Sequence, residues 1–166
     1  RPDRLAAADK GTDSATYACG QLAFWTPAAK PDVLSIPAGK IAVAQPDTAP
    51  YGKAAIQTLE STQQLPALQD RLVYGQDIGQ TYQFVFSHSA PSGFIALSQL
   101  TSAKVPAAQY QIVDAALYQP LVQKRITLAK GERLAAANAF IAWFDQQNAR
   151  LTQAGYALPG SDGCAR

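Results

Sequence analysis

Short apolar runs alternate along this chain with segments whose apolar residues recur at helical spacing. IAVA at 41–44 is an unbroken apolar run of the kind buried on both faces of a parallel sheet. Pro46 and Pro50 punctuate a turn after it, and Gly52, Ala55, Ile56 and Leu59 then repeat at helical spacing. The pattern predicts a strand, a turn and a helix, with a second helix at about 64–71. LVYGQDIGQTYQFVFS repeats the theme: a short strand, a turn with Gly75, and a helix for which Asp77 is a good N-cap. SGFIALSQL at 92–100 reads as a buried strand running into a polar turn.

The flanks are less regular. Residues 1–16 read as a short helix followed by a loop, and YACGQLAFW at 17–25 as one strand. TPAAKPDVLSIPAG has three prolines and no clean period, so it reads as a connection holding one helical turn. YQIVD and QPLVQKRITLA look like strands with a bend at Pro120. ERLAAANAFIAWFDQQNARLTQAG is the longest helical signal, with Leu134, Ile141, Phe144 and Leu151 on one stripe and Gly155 where a C-terminal cap belongs. Strands alternating with helices predict an α/β fold with a mostly parallel sheet covered on both faces.

Composition removes several classes of function. With 166 residues, 48% of them hydrophobic, the chain can bury a proper core as one domain. Only 16% of residues are charged and the formal net charge is +2, too little for a surface that neutralises nucleic-acid phosphates. Arg71, Lys104, Lys124, Arg125 and Lys130 are scattered and read as a solvated face. No apolar stretch approaches the about 18 residues that span a bilayer. The chain opens on Arg1 and holds no Met, so it is expected to be a processed form or a piece of a longer protein, with any signal peptide gone. Cys19 and Cys164 lack the close pairing of metal ligands; they either form one disulfide or stay as a buried and a loose thiol.

Catalytic chemistry finds little to build on. The single histidine, His88, sits between two serines without a nucleophile elbow, and reads as a surface residue at a helix end. Neither phosphate-binding glycine loop is present, and no metal-ligand cluster is. These absences predict that the chain is not an enzyme and holds no metal or cofactor. What remains is geometric. Two strand-turn-helix units place two helix N-termini at the C-terminal edge of a parallel sheet, where ligands of open α/β sheets bind. First-turn N–H groups lack intrahelical partners and carry partial positive charge, so they can hold an anion without a formal cation. The candidates are the turns Thr48-Ala49-Pro50-Tyr51 and Asp77-Ile78-Gly79. Geometry alone does not separate them from ordinary helix starts.

Four segments sharpen the reading. IAVAQPDTAPYGKAA, QDIGQTYQFVFSHSAPSGFIALSQL, YACGQLAFW and the ending LTQAGY resemble, in order and spacing, the periplasmic molybdate-binding proteins of ABC importers. The resemblance implies a type II periplasmic-binding-protein-like lobe with an incomplete first lobe. Residues 1–18 would be a remnant of the first lobe and hinge, 19–118 the second lobe, and 119–166 the C-terminal return to the first lobe. It implies that the main-chain N–H groups of Tyr51 and Ile78 contact a molybdate or tungstate oxyanion. Ala96 stands where some members add a tyrosine hydroxyl, so that contact is expected to be absent. The family's serine, threonine or asparagine ligands in the first lobe have no counterpart here, so this chain alone is expected to bind molybdate very weakly. The implied partner is a membrane permease, the location periplasmic. Apolar surface around Phe140, Ile141, Trp143 and Phe144 that the first lobe would cover implies a homo-oligomer or domain-swapped dimer. The alternative is a ligand-sensing or interaction module of the same fold that takes a different small anion.

Overall fold

The computed structural model describes residues 2–164; Arg1 and residues 165–166, the outer ends of the first and last expected segments, lie outside the described residues. Two sheets organise the chain. The larger has five strands in the order β4 (Leu72–Gly75), β3 (Ile41–Ala44), β5 (Ser92–Ala96), β2 (Leu22–Trp25) and β6 (Tyr110–Ile112). β3 pairs in parallel with both β4 and β5, while β2 runs antiparallel to β5 and β6. Four strands therefore share a direction and β2 opposes them.

Side-chain alternation in these strands builds two cores. Leu22, Phe24, Ile41, Val43 and Phe94 face one side and pack with Ala54, Ala55 and Leu59 of α2 (Pro50–Ser61) and with Leu68 of α3 (Leu65–Leu68), the short helix expected there. Ala23, Trp25, Ala42 and Ile95 face the other and pack with Val85 of α4 (Ile78–Phe86) and with Leu97 and Leu100 of α5 (Leu97–Ser102). Helices on both faces explain why the strands read as continuous apolar runs, since neither side of the pleat meets water.

The smaller sheet has three strands in the order β7 (Leu121–Thr127), β1 (Thr12–Gly20) and β8 (Tyr156–Ala157), all antiparallel neighbours. Around it lie α1 (Pro2–Ala7), α6 (Arg133–Phe144) and α7 (Asn148–Gln153). Cys19 of β1 and Cys164 are disulfide-bonded across a sequence separation of 145, with Cα atoms 5.3 Å apart.

Several expectations are corrected. The single strand at 17–25 is two strands in different sheets. At the break, the Gln21 carbonyl accepts from the Leu97 N–H at 2.9 Å and its side-chain amide donates to the Gly155 carbonyl at 3.3 Å. Residues 12–16, expected as loop, begin β1, because β7 arrives from over 100 residues away to pair with them. The polar turn after Ala96 is the helix α5. The connection 26–40 contains turns and bends but no helix: Gln111, Gln64 and Arg71 hydrogen-bond its backbone at Val33, Pro37 and Gly39. The long C-terminal helix is two, α6 and α7. It breaks after Phe144, where the Gln147 amide donates back to the Trp143 carbonyl at 3.0 Å. Gly155 follows α7 with φ +88°, the left-handed position expected of it. The expected stripe is not a buried one, since α6 has no buried residue.

Candidate functional site

Three helices start at the C-terminal ends of three parallel strands: α2 after β3, α4 after β4 and α5 after β5. β3 and β4 are hydrogen-bonded neighbours in register from Ile41↔Leu72 to Ala44↔Gly75. The ladder continues one step further, with the Gln45 N–H donating to the Gly75 carbonyl at 2.8 Å. The turns leading to Tyr51 and to Ile78 therefore leave the sheet side by side, at one edge.

Each turn is built differently. α2 starts without a side-chain cap: Ala49 is extended, Pro50 is the first helical residue, and no acidic residue sits in the first turn. The Gly52 and Lys53 N–H groups already return to the Ala49 carbonyl, at 3.0 and 3.1 Å. Gly52 permits the close approach of this helix to its strand, because a Cβ there would overlap the Ala44 carbonyl oxygen. At α4, the Asp77 carboxylate accepts from the Gln80 N–H at 2.8 Å, and the Gln80 side chain accepts from the Gln76 N–H at 2.7 Å. This is a reciprocal cap, and it bears out the expectation for Asp77. Among the described residues, neither the Tyr51 nor the Ile78 backbone N–H has an acceptor within the chain. Both remain free to donate.

The third helix start is one that sequence reading missed. Its first N–H, that of Leu97, is occupied by the Gln21 carbonyl, so it serves the junction between the sheets. Gln99 on α5 donates its side-chain amide to the Ile78 carbonyl at 3.3 Å and so braces the α4 turn. A continued helical spacing through Leu97 and Leu100 was the available signal, but the stretch is too short for periodicity to carry. Ala96 ends β5, buried and without a side-chain donor.

Tyr51 also lines a cavity of about 470 Å³ between α2 and the start of β7, with Lys53 and Gln57 on one wall and Gln119, Leu121 and Gln123 on the other. Ile78 does not line this cavity; it is joined to Tyr51 through the sheet edge. The Tyr51 ring is half-buried, and burial pushes its phenol well above the usual tyrosine range, with Tyr156, Tyr118 and Tyr17 adding to the effect. His88 stands in the exposed turn after α4, at the end of that helix opposite to Ile78. Among the described residues no group of three or more His, Cys, Asp or Glu side chains could hold a metal ion, and no helix is long and apolar enough to cross a membrane.

The arrangement thus leaves two neutral main-chain donors unpaired at one sheet edge. Residues 1–157 match the family model of bacterial extracellular solute-binding proteins, a family of binding proteins and not of enzymes. The chain is 36% identical over 131 residues to the molybdate-binding protein ModA of Rhodobacter capsulatus, covering 76% of this chain and 51% of that protein. It is 38% identical over 135 residues to the Azotobacter vinelandii protein of the same name, covering 76% and 53%. It thus spans about half the length of these relatives. The structure superposes on the Azotobacter vinelandii periplasmic molybdate-binding protein with a TM-score of 0.79 at 31% identity, covering 95% of this chain and 74% of that one.

Proposed function

The chain belongs to the bacterial extracellular solute-binding protein family, and from that premise we propose that it is the oxyanion-binding part of a molybdate or tungstate ABC importer. The observation that supports this most is the pair of uncapped N–H groups, Tyr51 and Ile78, on helix starts at one sheet edge. An oxyanion there meets two donors at the positive ends of two helix dipoles and loses water without needing a counter-cation. No bond of the ligand is made or broken, and no cofactor takes part. The working protein would act in the periplasm and hand its ligand to a membrane permease; the disulfide between Cys19 and Cys164 suits that oxidising compartment.

In this reading the five-stranded sheet and its helices, within 19–118, form the second lobe. The segments 1–18 and 119–166 belong to the first lobe and hinge. Two main-chain donors are a small site. Hydrogen bonds to a charged group contribute about 1.5–3 kcal/mol each, so two of them give about mM affinity in an open site. Calorimetric titration of the 166-residue chain with molybdate tests this: millimolar binding is expected, and micromolar binding would show that the site holds more donors than these two.

The apolar residues of α6 support a second element of the proposal. Phe140 is 60% and Trp143 50% exposed, on a helix that is apolar on most sides. Chains are therefore expected to associate through α6, as a homo-oligomer or by exchanging that helix. Sedimentation at high protein concentration decides it; a monomer throughout removes this element and leaves the anion site untouched.

A further inference from the structure

Tyr51 belongs to α2 by sequence, but its ring does not stay with its own sheet. A Cβ placed on Gly20, the last residue of β1, would overlap the Tyr51 Oη and lie 2.9 Å from its Cζ. Gly20 pairs with Leu121 of β7 on one side and with Tyr156 of β8 on the other. The phenol is thus seated on the middle strand of the smaller sheet, at the residue immediately before the Gln21 break. Tyr17 of β1, Tyr118 and Tyr156 surround it closely enough to oppose its ionisation. The same residue's N–H is one of the two free donors at the edge of the larger sheet. The cavity beside it is walled by α2 on one side and by the start of β7 on the other, so its width depends on how the two sheets are set.

We propose that the Tyr51 ring, packed on Gly20, is a positioning element: it couples the angle between the two sheets to the placement of the Tyr51 N–H at the anion site. A side chain at residue 51 is not required for the N–H to bond an anion, so a simple donor role predicts indifference to its identity. The coupling predicts dependence. Without the ring, α2 loses its stop against β1 and the sheets sample a wider range of angles. If the competent setting falls to about one tenth of the population, apparent affinity falls about tenfold. The absence of a side chain at Gly20 is the other half of the device, since a methyl group there displaces the ring.

This inference rests on the oxyanion reading of the site, and the test separates the two. In the full chain, residual dipolar couplings of backbone amides report the orientation of β1, β7 and β8 relative to β3, β4 and β5, without ligand. Tyr51→Ala is expected to reorient or broaden that relation. Gly20→Ala is expected to shift it in a fixed direction, and Tyr51→Ala added to Gly20→Ala to abolish that shift. Should Gly20→Ala fail to fold, Tyr51→Ala and Tyr51→Phe still decide, because Tyr51→Phe keeps the ring and should restore most of the wild-type orientation. Both sheets fitting the wild-type frame in Tyr51→Ala would overturn the coupling. Molybdate titration of the same amides is the second arm: Tyr51→Ala should weaken binding about tenfold relative to wild type, and an unchanged affinity would also overturn the coupling. If wild-type Tyr51 and Ile78 amides do not respond to molybdate at all, the oxyanion reading fails, while the ligand-free couplings still judge the link between ring and hinge.

Discussion

In the five-stranded sheet, Phe24, Phe94, Ile41 and Val43 are wholly shielded from water, as is Val85 of α4, and helices cover both faces. Around the three-stranded sheet the picture is reversed. The first residues of β1 are exposed, β7 has only its two end residues buried, and α6 has no buried residue. What holds this second region is of another kind. Lys124 pairs with Asp3 at 2.7 Å, and Arg125 bridges Asp13 and Asp145. Phe144 meets Tyr17 edge-on at 5.3 Å between ring centroids, and the disulfide joins β1 to the end of the described chain. Exposed ion pairs contribute about 0–1 kcal/mol each, so beyond the strand ladder itself the disulfide is the main constraint. One region is stabilised by excluding water on both faces, the other by a strand ladder, a covalent staple and a few charges.

The largest test of this contrast is to remove the staple. Closing a loop of 145 residues stabilises by about 5 kcal/mol in the chain-entropy picture. Replacing both cysteines by serine should lower the urea midpoint accordingly and free the three-stranded sheet before the five-stranded one. A change under about 1 kcal/mol would mean that packing, not the disulfide, holds the smaller sheet. Next in size is a pair of truncations. Phe94→Ala, in a fully buried ring that packs against Phe24 at 5.2 Å, should cost about 3–5 kcal/mol. Phe140→Ala, on exposed α6, should stay within about 0.5 kcal/mol when measured on dilute, monomeric protein. Equal costs in the monomer would break the contrast and show that α6 is covered within one chain.

Asp77→Ala tests the site edge of the larger sheet. Loss of the cap on α4 should destabilise by about 1 kcal/mol in thermal unfolding, and Asp77→Asn should recover most of it. A further effect is expected at alkaline pH. Tyr51, Tyr118 and Tyr17 hold their protons beyond the ordinary tyrosine value of about 10. Above that pH the unfolded chain therefore binds fewer protons than the native one, and stability falls as pH rises. Below about pH 10 these groups contribute their full stability. Tyr51→Phe should flatten the decline between about pH 10 and 12 in a denaturation series, and an unchanged slope would show that Tyr51 is not held protonated by burial.

Sequence reading served best where structure is local. The β3–α2 and β4–α4 units, the Asp77 cap and the Gly155 turn follow from residues within a few positions of one another. It failed where distant partners decide. Gln21 looks like any polar residue inside an apolar run; only Leu97 and Gly155, reached through the fold, make it the break between two sheets. β1 begins at Thr12 because β7 pairs with it, a fact that no window around Thr12 contains. The alanine-rich stretch from 133 onward has unbroken helical propensity, and the interruption comes from one glutamine amide turned back on the Trp143 carbonyl. The candidate donors were legible as helix starts. That the ring of one of them reaches the other sheet was not, because the contact joins residues 20 and 51 of different sheets.

The pairing of β1 with β7 also sets a clock. β1 ends at Gly20, and the strand beside it begins at Leu121. A chain delivered N-terminus first, by synthesis or by export, presents β1 about 100 residues before its neighbour. By then β2 to β6 and the helices between them have all emerged. The larger sheet can therefore assemble first, and the smaller sheet, its disulfide and the seat for the Tyr51 ring come last. During that interval β1 is an unpaired strand open to any other chain that offers an edge.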